Sequence, residues 1–122
     1  MKISVISVGT DIVSISRIKK LINRHGTRFL NRIFTNDEIV YCEKQYNPSI
    51  HFAGKFSAKE SVLKTLTNSR IRKNIFYRDI SILNKDTKKP FVYCKKIDSF
   101  KFDLSISHTE EFATSVVVLL ND

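Results

Sequence analysis

The sequence is poor in the residues that staple, punctuate or span. Cysteine occurs twice, at Cys42 and Cys94, glycine three times and proline twice. Two cysteines without metal-ligand spacing are expected to be buried thiols rather than a disulfide. No apolar run approaches the ~18 residues that a bilayer crossing needs. Residues 3–8 are mostly apolar, but serines interrupt them, Asp11 ends them and no small-residue cleavage site follows. The expectation is therefore a cytoplasmic protein without a signal peptide. Repeats, low-complexity tracts and linkers are also missing, and the scarcity of glycine is read as compositional drift. What remains is 122 residues with 42% hydrophobic and 27% charged side chains. That composition excludes disorder and suits one domain over residues 1–122.

Negative charge is scarce too. Lys plus Arg number 21 against 12 Asp plus Glu, a formal net charge of +9. The excess points to an anionic partner without saying which. It is unevenly placed. Residues 12–35 hold Arg17, Lys19, Lys20, Arg24, Arg28 and Arg32 and no acid. Residues 50–73 hold Lys55, Lys59, Lys64, Arg70, Arg72 and Lys73 against Glu60 alone, while residues 102–122 have acids and no Lys or Arg. The bases are interleaved with apolar residues, so the charge belongs to folded elements rather than to a disordered arm.

Residues 3–8 predict a first strand, with Gly9-Thr10 as its turn-prone end. Ser14 is a plausible N-cap for a helix on which Ile15, Ile18, Leu21 and Ile22 recur, ended at His25-Gly26. A second helical piece covers residues 27–33, and a third starts near Asn36 as N-cap, with Asp37 and Glu38 in its first turn. Pro48 opens a long helix to about Leu66, with Phe52, Phe56, Leu63 and Leu66 as its apolar stripe. Alternation then predicts strands over residues 75–83, 91–94, 102–106 and 112–120, with a turn at Lys88-Lys89-Pro90. The fold class is α+β: one small domain with an N-terminal strand, helices including a long central one, and an antiparallel sheet.

Three segments are candidates for chemistry. In Gly9-Thr10-Asp11, Asp11 reads either as a cap for the following helix or as a metal-binding carboxylate at a strand end. On the long helix, Lys55 and Lys59, then Glu60 and Lys64, are spaced four apart; the pairs read as a solvated face or as an anion and cation site. In Ser105-Ile106-Ser107-His108-Thr109 the serines point away from the core, and His108 at the strand end could bind phosphate or transfer a proton.

Taken together, Gly9-x-Asp11, Phe52-Ala53-x-Lys55-Phe56-x-x-Lys59-Glu60 and Ser105-Ile106-Ser107-His108 resemble the holo-acyl-carrier-protein synthases. These are the small bacterial 4′-phosphopantetheinyl transferases, and the resemblance runs through the whole chain, including residues 33–38. It implies that fold and Mg²⁺-dependent transfer of 4′-phosphopantetheine from coenzyme A to a serine of apo acyl carrier protein. Adenosine 3′,5′-bisphosphate would leave, in fatty acid biosynthesis. Asp11 and Glu60 would hold Mg²⁺, an ion that prefers oxygen ligands. Lys64 would contact phosphates, and Lys55, Lys59, His108 and Thr109 would contribute to the coenzyme A pocket. Glu38 would act near the metal through water. The serine's proton acceptor stays open among a metal-bound water, Glu60 and His108.

Arg17 matches a family residue of the carrier-docking surface, and the stripe formed with Lys20, Arg24 and Arg28 extends it toward an acidic partner. A homotrimer with sites between protomers is also implied. Two departures stand out: Thr67-Asn68-Ser69-Arg70 replaces a glycine-rich turn, where Asn68 could supply a positive φ, and Lys88 replaces a hairpin glycine. The alternative from another class is a small basic RNA-binding module, against which stand the missing RNP-like aromatics and the confinement of the bases to two helical regions.

Overall fold

A computed structural model describes residues 2–71 and 74–121. The predicted bases Arg72 and Lys73 lie outside the described residues. The order is β1 (Val5–Ser14), α1 (Ile15–His25), α2 (Thr27–Ile33), α3 (Asn36–Glu43), α4 (Pro48–Asn68), β2 (Ser81–Asn84), β3 (Pro90–Tyr93), β4 (Lys101–His108) and β5 (Phe112–Leu120). Short 3₁₀ turns occupy Tyr77–Asp79 and Lys95–Ile97. The strands form an antiparallel sheet in the order β1-β5-β4 and a separate β2-β3 hairpin. This is the α+β architecture expected, with two sheets instead of one.

The first strand is longer than its sequence suggests. Gly9 and Asp11 do not end β1; they pair in register with Val117 and Ser115 of β5. Gly9 serves close approach, not a turn: a Cβ there would lie 2.1 Å from the carbonyl oxygen of Ser61 on α4. Its scarcity partner, Gly26, does the turning at φ 55 between α1 and α2, as the sequence predicts. Ser14 caps α1 as expected, its Oγ accepting from Arg17 N. The cap of α3 is Thr35 and not Asn36. Thr35 and Glu38 form a reciprocal capping box, because Glu38 three residues on can reach back to the Thr35 N–H.

Helix α4 is buried almost all round, which no single apolar stripe would achieve. Phe52, Ala53, Ala58, Val62 and Leu66 fill two cores, one shared with Ile18, Leu30 and Phe34, the other with Ile80, Ile82, Val117 and Leu119. Small residues let α4 sit against β1 and β5. Ser57 and Ser61 Oγ lie 2.8 and 2.6 Å from Ser115 Oγ. Ser7 Oγ donates to Thr65 O, and Asn68 Nδ2 to Val8 O. Those bonds fix the helix along the strand and so decide what stands opposite Asp11.

Residues 75–83 are not one strand: a 3₁₀ turn precedes β2, held by Phe76 N donating 2.7 Å to Asp79 Oδ2. After α4 the positive φ falls on Arg70 (61°) rather than on Asn68, which completes the helix. Cys42 and Cys94 are free and buried, and burial pushes the Cys42 thiol up to about 12. Among the described residues no helix is long and apolar enough to cross a membrane.

Candidate active site

Packing α4 on β1 puts Asp11 and Glu60 on one cavity of about 280 Å³, lined also by Arg17, Ile18, Leu21 and Phe56. Lys64, one helical turn beyond Glu60, does not pair with it. Its Nζ reaches back to Thr10 O at 2.8 Å and Asp11 Oδ1 at 3.3 Å. Glu60 instead accepts from the hydroxyl of Tyr77. Burial and that bond push the Tyr77 phenol up to about 12. Asp11 caps no helix, since it lies within β1 and Ser14 performs that task.

Lys55 and Lys59 do not form a solvated face. Both are buried. Lys55 Nζ donates to Ile82 O at 2.5 Å and Asn84 Oδ1 at 2.7 Å and sits 4.5 Å from the Tyr41 ring centroid. It lines a second cavity of about 220 Å³ with His51, Asn84, Lys88 and His108. Lys59 is fully buried. Its Nζ is 2.7 Å from Glu38 Oε1 and donates to Tyr77 O and Ile80 O. Lys59, expected from the sequence in the coenzyme A pocket, is thus engaged with Glu38 in the interior. Glu38, expected near the metal through water, is buried with Oε1 accepting from Thr35 N and Oε2 from Ile82 N, both at 2.8 Å.

His108 ends β4 and is exposed, its Nδ1 3.2 Å from Thr109 O. Thr109 Oγ1 is engaged by the β4–β5 turn, accepting from Glu111 N and Phe112 N at 3.1 Å. The Asp11–Glu60 cavity and the His108–Lys55 cavity share no lining residue. Of the basic stripe, Lys20 and Arg24 are exposed and Arg28 lines a groove with His25, Phe29 and Arg32. Arg17 is exposed and reaches the carboxylate cavity.

Sequence reasoning passed over Tyr77 and His51, and read Lys88 only as a hairpin residue. His51 stands one helical turn before Lys55, a spacing legible in advance; Tyr77 carries no such signal. Burial first, then the charges of His108 and Lys55, holds the His51 imidazole below its ordinary value.

Comparison with known proteins shows what the chain is similar to. The family model of the 4′-phosphopantetheinyl transferase superfamily matches residues 7–117. The holo-[acyl-carrier-protein] synthase of Chlamydia caviae is 47% identical, covering 93% of this chain and 95% of that protein. That of Protochlamydia amoebophila is 39% identical at 93% and 96% coverage. Among solved structures, the Bacillus anthracis holo-(acyl-carrier-protein) synthase in complex with coenzyme A (3′,5′-ADP) superposes with a TM-score of 0.83. It is 31% identical and the match covers 97% of this chain and 98% of that one. The Helicobacter pylori synthase in complex with coenzyme A gives 0.80 at 35% identity, covering 92% and 98%. On the family model, these relatives and the shared fold, the chain belongs to the 4′-phosphopantetheinyl transferase superfamily, among its holo-[acyl-carrier-protein] synthases.

Proposed function

We propose that this enzyme transfers 4′-phosphopantetheine from coenzyme A to a serine of apo acyl carrier protein, with Mg²⁺, in the cytoplasm and in support of fatty acid synthesis. The serine oxygen forms a bond to the β-phosphorus, the bond from that phosphorus to the bridging oxygen breaks, and adenosine 3′,5′-bisphosphate leaves. The observation that carries the reading is the cavity in which the carboxylates of Asp11 and Glu60 meet beside Arg17.

The donor set fits the ion. Among the described residues no group of three or more His, Cys, Asp or Glu side chains could hold a metal by itself. Two carboxylates are what Mg²⁺ ordinarily takes from a protein, its other positions going to phosphate and water. Bound there, it would neutralise pyrophosphate charge and act as a Lewis acid. Lys64, half exposed and paired with Asp11, is placed to meet phosphate oxygens. Arg17 lines the same cavity and belongs to the acid-free helices α1 and α2, whose basic surface suits an acidic carrier.

Two further observations support reading the enzyme as a trimer. The outer face of the β1-β5-β4 sheet exposes Val8, Ile12, Phe112 and Val116, an apolar surface that a second copy would cover. His108 and Lys55 form a cationic cavity apart from Asp11 and Glu60. A neighbouring protomer would bring the two together around one coenzyme A, with Glu60 and His108 both near the serine proton.

Mass spectrometry of apo acyl carrier protein incubated with enzyme, coenzyme A and Mg²⁺ tests this. The expected gain is one phosphopantetheinyl group, abolished by EDTA and by Asp11→Ala or Glu60→Ala in folded protein. An unmodified carrier would overturn the activity, and near-normal transfer by either variant would overturn the metal assignment.

A further inference from the structure

Glu60 is held by a residue that no motif contains. Tyr77 opens the 3₁₀ turn Tyr77–Asp79, across from α4. Its hydroxyl donates to Glu60 Oε1, and its ring stacks on that of Phe56, one turn back along the same helix, with centroids 5.7 Å apart. Its carbonyl accepts from Lys59 Nζ at 2.8 Å. Lys59 is itself locked 2.7 Å from Glu38 in the interior. At the far end of the turn Asp79 Oδ2 accepts from Phe76 N and lies 3.0 Å from Lys96 Nζ. Ring, backbone and turn are thus fixed separately, and the hydroxyl is presented to one carboxylate oxygen.

That geometry has a chemical consequence. A carboxylate free to rotate can offer a cation both oxygens or one. The phenol occupies Oε1, and Oε2 has no protein partner among the described residues. A one-oxygen ligand suits small cations that demand octahedral geometry, whereas Ca²⁺ readily takes both oxygens of a carboxylate. Groups that orient a ligand in this way typically change metal affinity about 10–100-fold.

We propose that Tyr77 is a positioning residue that keeps Glu60 a one-oxygen ligand and so favours Mg²⁺ or Mn²⁺ over Ca²⁺. The inference rests on the reading that Asp11 and Glu60 carry a divalent ion. The buried Glu38–Lys59 pair acquires a role in it, as the anchor of the Tyr77 backbone.

The test measures Mn²⁺ binding by electron paramagnetic resonance, in the presence of coenzyme A, for the parent chain, Glu60→Gln and Tyr77→Phe. Phenylalanine keeps the stacked ring and removes one oxygen; thermal melting followed by circular dichroism verifies its fold. The Mn²⁺ Kd is expected to rise about tenfold in Tyr77→Phe. The preference for Mn²⁺ over competing Ca²⁺ should shrink, and the KM for Mg²⁺ should rise more than that for coenzyme A. Should Tyr77→Phe unfold, Phe56→Leu carries the same test, since it removes the ring that holds the phenol. An unchanged Kd and Ca²⁺ preference in the folded variant, with the parent binding and Glu60→Gln not, overturns this inference alone. Absence of Mn²⁺ binding by the parent overturns the metal reading beneath it.

Discussion

Lys59 Nζ lies 2.7 Å from Glu38 Oε1 with both side chains fully buried, and the pair ties α4 to the cap of α3. Around it, Thr35 N and Ile82 N donate to Glu38, and the carbonyls of Tyr77 and Ile80 accept from Lys59. A buried pair with every polar atom matched adds little net stability, but removing one charge strands the other. Glu38→Gln is therefore expected to cost about 3–5 kcal/mol, measured by urea denaturation. A loss below about 1 kcal/mol would show that water reaches Lys59.

Close approach at Gly9 makes the strand–helix joint intolerant of a methyl group. Gly9→Ala would bring Cβ within 2.1 Å of a backbone oxygen, so α4 must shift away from β1. A destabilisation of about 1–3 kcal/mol is expected, with a loss of transfer activity larger than stability explains. Parent-like melting and activity would contradict the joint as described.

Lys88 adopts φ 65 in the hairpin between β2 and β3. A side chain there costs about 1–2 kcal/mol, partly offset by the entropy that glycine loses on folding. Lys88→Gly should raise stability by about 0.5–1 kcal/mol. Because Lys88 also lines the cavity with Lys55 and His108, the KM for coenzyme A should rise at the same time. The urea midpoint and the two KM values separate these effects.

His51 faces Tyr41, Lys55, Lys88 and His108 around that cavity. Its folded value lies below 6.5, so between the two values the unfolded chain binds more protons than the folded one. The stability it contributes is present above pH 6.5 and is lost as pH falls through the folded value. His51→Gln should accordingly lose less Tm than the parent between pH 7 and pH 5. An anion in the cavity favours the imidazolium, so coenzyme A binding should take up protons near neutral pH, less so in the variant. Calorimetry in two buffers of different ionisation enthalpy measures this, and equal uptake in both chains would exclude His51.

Arg17 stands where the basic face meets the carboxylates. Arg17→Ala should raise the KM for acyl carrier protein several-fold more than that for coenzyme A, with the difference shrinking at high salt. Equal changes would place Arg17 on the nucleotide instead.

Much of this enzyme is legible along the chain. Helical spacing, Ser14, Gly26 and Pro48 delimit α1, α2 and α4, because caps and glycine conformations are local. The motif residues Asp11 and Glu60 are legible too, and the cavity they share follows from packing the long helix on the first strand. Three-dimensional packing decided the rest. Whether a lysine on α4 faces solvent or a buried glutamate depends on what lies against each side of a helix, and α4 is covered on nearly all of them. Gly9 has the same appearance in a turn as in a strand crowded by a helix; only the position of Ser61 distinguishes the two. The partner of Glu60 comes from 17 residues downstream, through a turn whose placement no local pattern encodes. Local conformation is written in neighbouring residues, whereas burial and polar pairing are set by segments that meet only in the folded chain.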